Sequence, residues 1–104
     1  VTEAGSLWLE ALRRVGGMGS GRHRKAMTEH LAAICDERGG VPCMTTTALA
    51  SGAGLTYRGG VDALRDLRRD GWVLTVENHS RAGSVRQLEV PPHAMQALDR
   101  WRSQ

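Results

Sequence analysis

Apolar positions along the chain switch between a helical period and an alternating one, and the switches mark out its elements. Trp8, Leu12 and Val15 recur at helical spacing behind Ser6, a residue suited to capping, which predicts a first helix over Ser6–Val15. The run Gly16-Gly17-Met18-Gly19-Ser20-Gly21 stops it, because glycine at this density carries too much backbone entropy to stay helical. Such a connection is flexible, so the first helix is free to pack on a partner chain. Met27, Leu31, Ile34 and Cys35 form the stripe of a second helix expected over Arg22–Arg38, ended by Gly39-Gly40.

Val41-Pro42-Cys43-Met44 reads as a short strand, after which Thr45 or Thr46 caps a short helix through about Ser51. Gly52-Ala53-Gly54 makes a turn. Thr56 then opens a further helix with Ala63, Leu64 and Leu67 inward and Gly71 at its C-cap. Trp72–Glu77 and Val85–Val90 alternate apolar and polar on either side of the turn-rich Asn78–Ser84, the pattern of a hairpin. Pro91-Pro92 ends the second strand, and His93–Arg102 forms a last helix with Ala94, Leu98 and Trp101 on one side. The expected order is α, α, β, α, α, β, β, α, an α+β fold that is mainly α. No internal repeat is visible.

Within this order, Leu49-Ala50, Gly54, Thr56, Ala63-Leu64, Leu67, Gly71 and Trp72-Val73 resemble the winged helix-turn-helix domains of bacterial regulators of the GntR and MarR kind. There a pair Leu-Ala, a turn with glycine and a small hydroxyl cap lead into a helix that ends in Gly and an apolar strand. In detail the likeness covers about a quarter of the chain, and with the hairpin as wing nearly half. Leu55-Thr56-Tyr57-Arg58 is similar to the start of the recognition helix in the C-terminal winged domain of FtsK-type and plasmid DNA translocases. Residues 1–21 are then an N-terminal helix with its glycine-rich connection, and 22–104 a winged helix-turn-helix domain with a C-terminal helix. One departure stands out: where these families place Val or Ile, one turn before Ala63-Leu64, this chain has Gly60 beside Gly59. Each glycine inside a helix costs roughly 1 kcal/mol relative to alanine. Close backbone approach to the preceding helix or to DNA is one account, and a frayed first turn the other.

At 104 residues the chain accommodates one domain with a modest core. Its net charge of +3 is small, but its distribution is uneven. Arg13, Arg14, Arg22, Arg24 and Lys25 occur between Ala11 and Thr28 with no acid, and Arg81 and Arg86 between Asn78 and Leu88 with none. Clustered charge attracts a polyanion where a neutralised face does not. Lys25 is the only lysine among the 14 basic residues. Arginine suits bidentate contact with guanine and phosphate, and a GC-rich genome accounts for it equally well.

The resemblance implies that double-stranded DNA is the partner, read by the exposed N-terminal half of the recognition helix through Thr56, Tyr57, Arg58 and Asp62. Arg58 is the first choice for a guanine contact. Thr46 and Thr47, at the start of the preceding helix, could hold a phosphate. Arg81 at the wing tip, with His79 and Arg86, would enter the minor groove or grip the backbone. Arg22, Arg24 and Lys25 would add sequence-independent affinity. Arg65, Arg68 and Arg69 alternate with Asp62, Asp66 and Asp70, the look of a solvated helix face, and most of them are left out of the site.

No Ser/His/Asp or Cys/His arrangement, phosphate loop or metal-ligand spacing is present, so neither enzyme activity nor a cofactor is expected. Cys35 and Cys43 are expected as two free, buried thiols. With no apolar run of membrane-spanning length and no secretory leader pattern, the cytoplasm is the default location. The end helices, carrying Trp8 and Trp101, offer a homodimer interface. Three functions remain open: a small sequence-specific transcriptional regulator, a DNA-recognition module of a plasmid or phage machine (translocase, replication or excision), and a winged helix that binds protein.

Overall fold

The computed structural model describes residues 2–15 and 21–103, with the side chains of 101 and 102 excepted. Most of the glycine-rich connection, at 16–20, and the Trp101 side chain therefore lie outside the described residues. Five helices and three strands run α1 (Glu3–Arg14), α2 (Arg22–Ile34), β1 (Gly40–Met44), α3 (Thr46–Gly52), α4 (Tyr57–Arg69), β2 (Val73–Asn78), β3 (Ser84–Leu88) and α5 (Pro92–Arg102). The strands form one small antiparallel sheet in the order β1-β3-β2. In its middle Arg86 of β3 is flanked by Val41 on one side and Thr75 on the other. The fold is α+β and mainly helical. Among the described residues no helix is long and apolar enough to cross a membrane.

Side-chain oxygens at the helix starts explain most of the boundaries. Thr2, not Ser6, caps α1, its hydroxyl accepting from the Gly5 N–H at 3.2 Å, so the helix begins three residues earlier than the apolar stripe suggests. Of the two threonines expected before α3, Thr45 is the cap, accepting from Ala48 N–H at 3.0 Å. Thr56 caps α4 through Gly59 N–H at 3.1 Å, and Gly71 closes that helix at φ +86°. Pro92 opens α5, a position where its missing N–H costs nothing.

The second helix ends four residues before the expected Arg38. Cys35 is already extended, and the Asp36 carboxylate accepts from the N–H groups of Arg38 and Gly40, both at 2.8 Å. These two backbone bonds, Gly40's the larger in effect, hold the Asp36 carboxyl below its usual range. The local bonds offer the backbone an alternative to helix, and the chain turns into β1.

The core joins all the helices to the inner face of the sheet. Leu12, Met27, Leu31, Leu49 and Leu67 are fully enclosed, with Trp72 and Val73 beside them. Trp8 is only 3% exposed, and its indole N–H is shared between the carbonyls of Glu89 (2.9 Å) and Trp72 (3.1 Å). Thus α1 packs on its own chain and buries Trp8 there. Among the described residues, Leu7 and Met95 are the large apolar side chains that α1 and α5 leave exposed. Cys35 is buried as expected, whereas Cys43 is exposed on β1.

Gly60 sits where α3 and α4 meet. A Cβ added there would lie 2.5 Å from the Ala50 Cβ and 3.2 Å from its Cα. Close helix approach, rather than a frayed turn, accounts for this glycine, which is buried within the regular helix. Gly60→Ala gains about 1 kcal/mol of helix propensity but meets an overpacking cost of about 1–3 kcal/mol. We expect a net loss of stability in urea unfolding. Combining it with Ala50→Gly should recover part of that loss, a non-additivity that only direct contact produces.

Candidate nucleic-acid interface

Two faces of α4 differ sharply. Gly59, Gly60, Ala63, Leu64 and Leu67 are buried against the rest of the domain. Opposite them, Arg58, Val61, Arg65 and Arg68 follow one another at steps of three or four residues and so share a face. At the N-terminal end of this face Tyr57 is 61% exposed. Arg58 is exposed and has no hydrogen-bond or ion-pair partner among the described residues. Thr56 has its hydroxyl engaged in the cap, and Asp62 accepts from Arg65 at 2.6 Å. The pairing leaves both Asp62 and Arg65 less available to an external group than Arg58.

At the start of α2, Arg22 and Lys25 are exposed to solvent on the helix entry. Arg24 differs from both. Its guanidinium is largely buried and donates to the Asp70 carboxylate at 2.7 Å, tying α2 to the end of α4. The charge expected to serve a polyanion is answered inside the fold.

The β2–β3 connection is a 3-10 turn over Ser80–Ala82, held by His79 N–H to Gly83 O at 2.8 Å. Asn78 supports it by accepting from the Ser80 N–H at 3.1 Å and the Ser84 hydroxyl at 3.3 Å. Gly83, at φ +106°, lies against the backbone of Met44, where any Cβ would collide. Arg81 projects from this turn without an acidic partner among the described residues, while His79 pairs with Glu77 at 2.8 Å.

Arg86 is a correction to the expected tip cluster. It is 8% exposed, and its guanidinium donates to Met44 O at 3.0 Å and Ser84 O at 3.4 Å. It faces inward from the middle strand and ties the end of β1 to β3. The signal was available: alternation puts Arg86 on the same side of β3 as the buried Leu88.

Between α4 and the sheet runs an open groove of about 680 Å³, its walls including Thr46, Arg65, Arg68, Thr75 and Ser84. Thr46 thus belongs to the groove, whereas Thr47 is exposed on α3. Residue-by-residue reading of charge missed Arg68. Its neighbours behave as expected of a solvated face, with Arg65 on Asp62 and Arg69 on Asp66 and Asp70. Arg68 itself has no acidic partner among the described residues. Helical spacing from Arg58 was the sequence signal that could have found it.

The chain matches no family model, no curated protein and no solved structure.

The Arg24–Asp70 pair has a measurable pH signature. The hydrogen bond from Arg24, with a smaller one from Arg69, holds the Asp70 carboxyl below its ordinary value. A carboxyl that titrates lower in the folded than in the unfolded chain stabilises the fold at pH values above its unfolded pKa of about 3.9. That contribution is lost as pH falls through the depressed folded value. Because Asp70 is 37% exposed, solvent screening keeps it below about 1 kcal/mol. Asp70→Asn should therefore be less stable than the wild type in urea at pH 7, with the two unfolding curves converging toward pH 2. A gap that persists undiminished at pH 2 would refute the ion-pair origin.

Proposed function

We propose that this chain is a winged helix-turn-helix protein that binds double-stranded DNA sequence-specifically, acting as a small transcriptional regulator. In this reading α3 and α4 are the helix-turn-helix, α4 is the recognition helix, and the β2–β3 hairpin is the wing with β1 added beside it. One observation carries it: the first turn of α4 presents Tyr57 and Arg58, exposed and unpaired among the described residues, while the opposite face of the helix is locked into the core. A rigid helix with an unanswered guanidinium near its N-terminus is what base readout in the major groove requires. Arg81 on the hairpin and Arg22 and Lys25 at the entry of α2 supply further unanswered charge for the phosphate backbone.

The protein-binding alternative drew its support from the glycine pair and the alternating charges of α4. Gly60 is accounted for by contact with Ala50, and the paired charges by bonds within the helix and to its neighbouring residues. DNA binding is therefore the better-supported reading. Between a regulator and a module of a plasmid or phage machine, the symmetry of the bound site decides.

Enrichment of sites from a random duplex pool at near-physiological salt, with Arg58→Ala alongside, tests the proposal. A defined sequence should emerge, and the variant should lose about 1–3 kcal/mol of discrimination, roughly 5- to 150-fold, at one base position. A palindrome fits a dimeric regulator and direct repeats fit the machine module. Retention without any enriched sequence, or no retention, would defeat the sequence-specific reading.

A further inference from the structure

We infer that the groove between α4 and the sheet holds the phosphodiester backbone of one DNA strand, with Arg68 as the residue that grips it. The inference rests on the DNA-binding reading and assigns work to a part of the molecule which that reading leaves empty.

Charge in the groove is the first argument. Arg65, Arg68, Arg69 and Arg86 all line it, and no aspartate or glutamate among the described residues does. Two of the four are answered from outside the groove: Arg65 by Asp62, and Arg69 by Asp66 and Asp70. Arg86 is satisfied only by neutral carbonyls, which leave its positive charge in place. Arg68 has neither kind of partner among the described residues. Burial lowers the Arg86 pKa, an effect of Cys43 opposes it, and the like charge of Arg68, the smallest of the three, lowers it again. Two guanidiniums that repel each other across a concave, partly desolvated wall make a field that an anion relieves.

Shape is the second argument, and it selects a polymer over a small anion. The groove is open to solvent rather than enclosed. Its helical wall continues the face that begins at Arg58, ten residues or about 15 Å from Arg68 along the axis. A strand whose bases meet the first turn of α4 has its backbone carried along that face. Thr46, Thr75 and Asn78 supply hydroxyl and amide donors around the same space. The contact is to phosphate, so it carries affinity and register but no base preference.

The test measures binding of the intact chain to its enriched duplex and to an unrelated duplex, each between 50 and 200 mM salt, for the wild type, Arg68→Ala, Arg68→Lys and Arg100→Ala. Arg100 is an exposed arginine on α5 outside the groove and controls for loss of one charge. Circular dichroism checks that each variant is folded. Arg68→Ala should weaken both duplexes by the same factor and reduce the logarithmic salt slope by about 0.9. The wild type's loss of affinity across that fourfold salt range then exceeds the variant's by about three- to fourfold. Arg68→Lys should keep the slope, and Arg100→Ala should change it little.

Equal effects of Arg68→Ala and Arg100→Ala would overturn the inference while leaving DNA binding intact, as would an Arg68→Ala loss confined to the enriched sequence. A wild-type chain that retains no duplex at all would remove the DNA-binding reading itself, and this inference with it.

Discussion

Everything this fold presents to the outside on α4 depends on one missing methyl group. With no side chain at position 60, α4 approaches α3 until its backbone nearly touches Ala50. That contact fixes the roll of α4 about its own axis, because a helix pressed down at Gly60, Ala63 and Leu67 has no freedom left to turn. The sheet follows from the same anchor. Gly71 reverses the chain, Trp72 N–H donates to Leu67 O at 2.9 Å, and β2 leaves at a set distance from the helix. The groove between α4 and the strands is the space that this geometry leaves over.

Charge acquires meaning only inside that frame. A net +3 on 104 residues says little, because several of the arginines are engaged within the fold. Arg14 is answered by Glu10 along α1, Arg24 by Asp70, and Arg65 and Arg69 by the aspartates of α4. Arg86 is held by carbonyls. What stays uncompensated among the described residues of α4 and the hairpin is Arg58, Arg68 and Arg81, on the first turn of α4, in the groove and on the hairpin turn respectively. Within α4 and the hairpin, internal pairing answers Arg65 and Arg69 and leaves positive charge at Arg58, Arg68 and Arg81.

The elements were legible where a local rule suffices. Thr56 and Gly71 bracket α4 by capping chemistry alone, Pro92 opens α5, and alternation with a turn-rich interval marks the hairpin. Failures came where a side chain does something that periodicity does not record. Asp36 ends α2 early by binding two amides of the following loop, although the preceding stripe points onward. Thr2 begins α1 before its first buried tryptophan. The site was less legible than the fold, because it depends on which charges find partners. Arg24 and Asp70 are 46 residues apart in the chain, and nothing short of the folded arrangement reveals that they meet. Arg68 was hidden the other way, since the acids around it engage Arg65 and Arg69 instead.

The indole of Trp8 gives the molecule a direction in time. Its two acceptors lie 64 and 81 residues further along the chain, on Trp72 and Glu89. During synthesis α1 has neither carbonyl to close on until residue 72 is made, and not both until residue 89 has followed the last strand. Caps and local turns can form in the order of synthesis, but this clasp cannot. A closure between such distant residues costs more loop entropy than a cap or a turn, and this one ties α1 to the residues on either side of the β2–β3 hairpin.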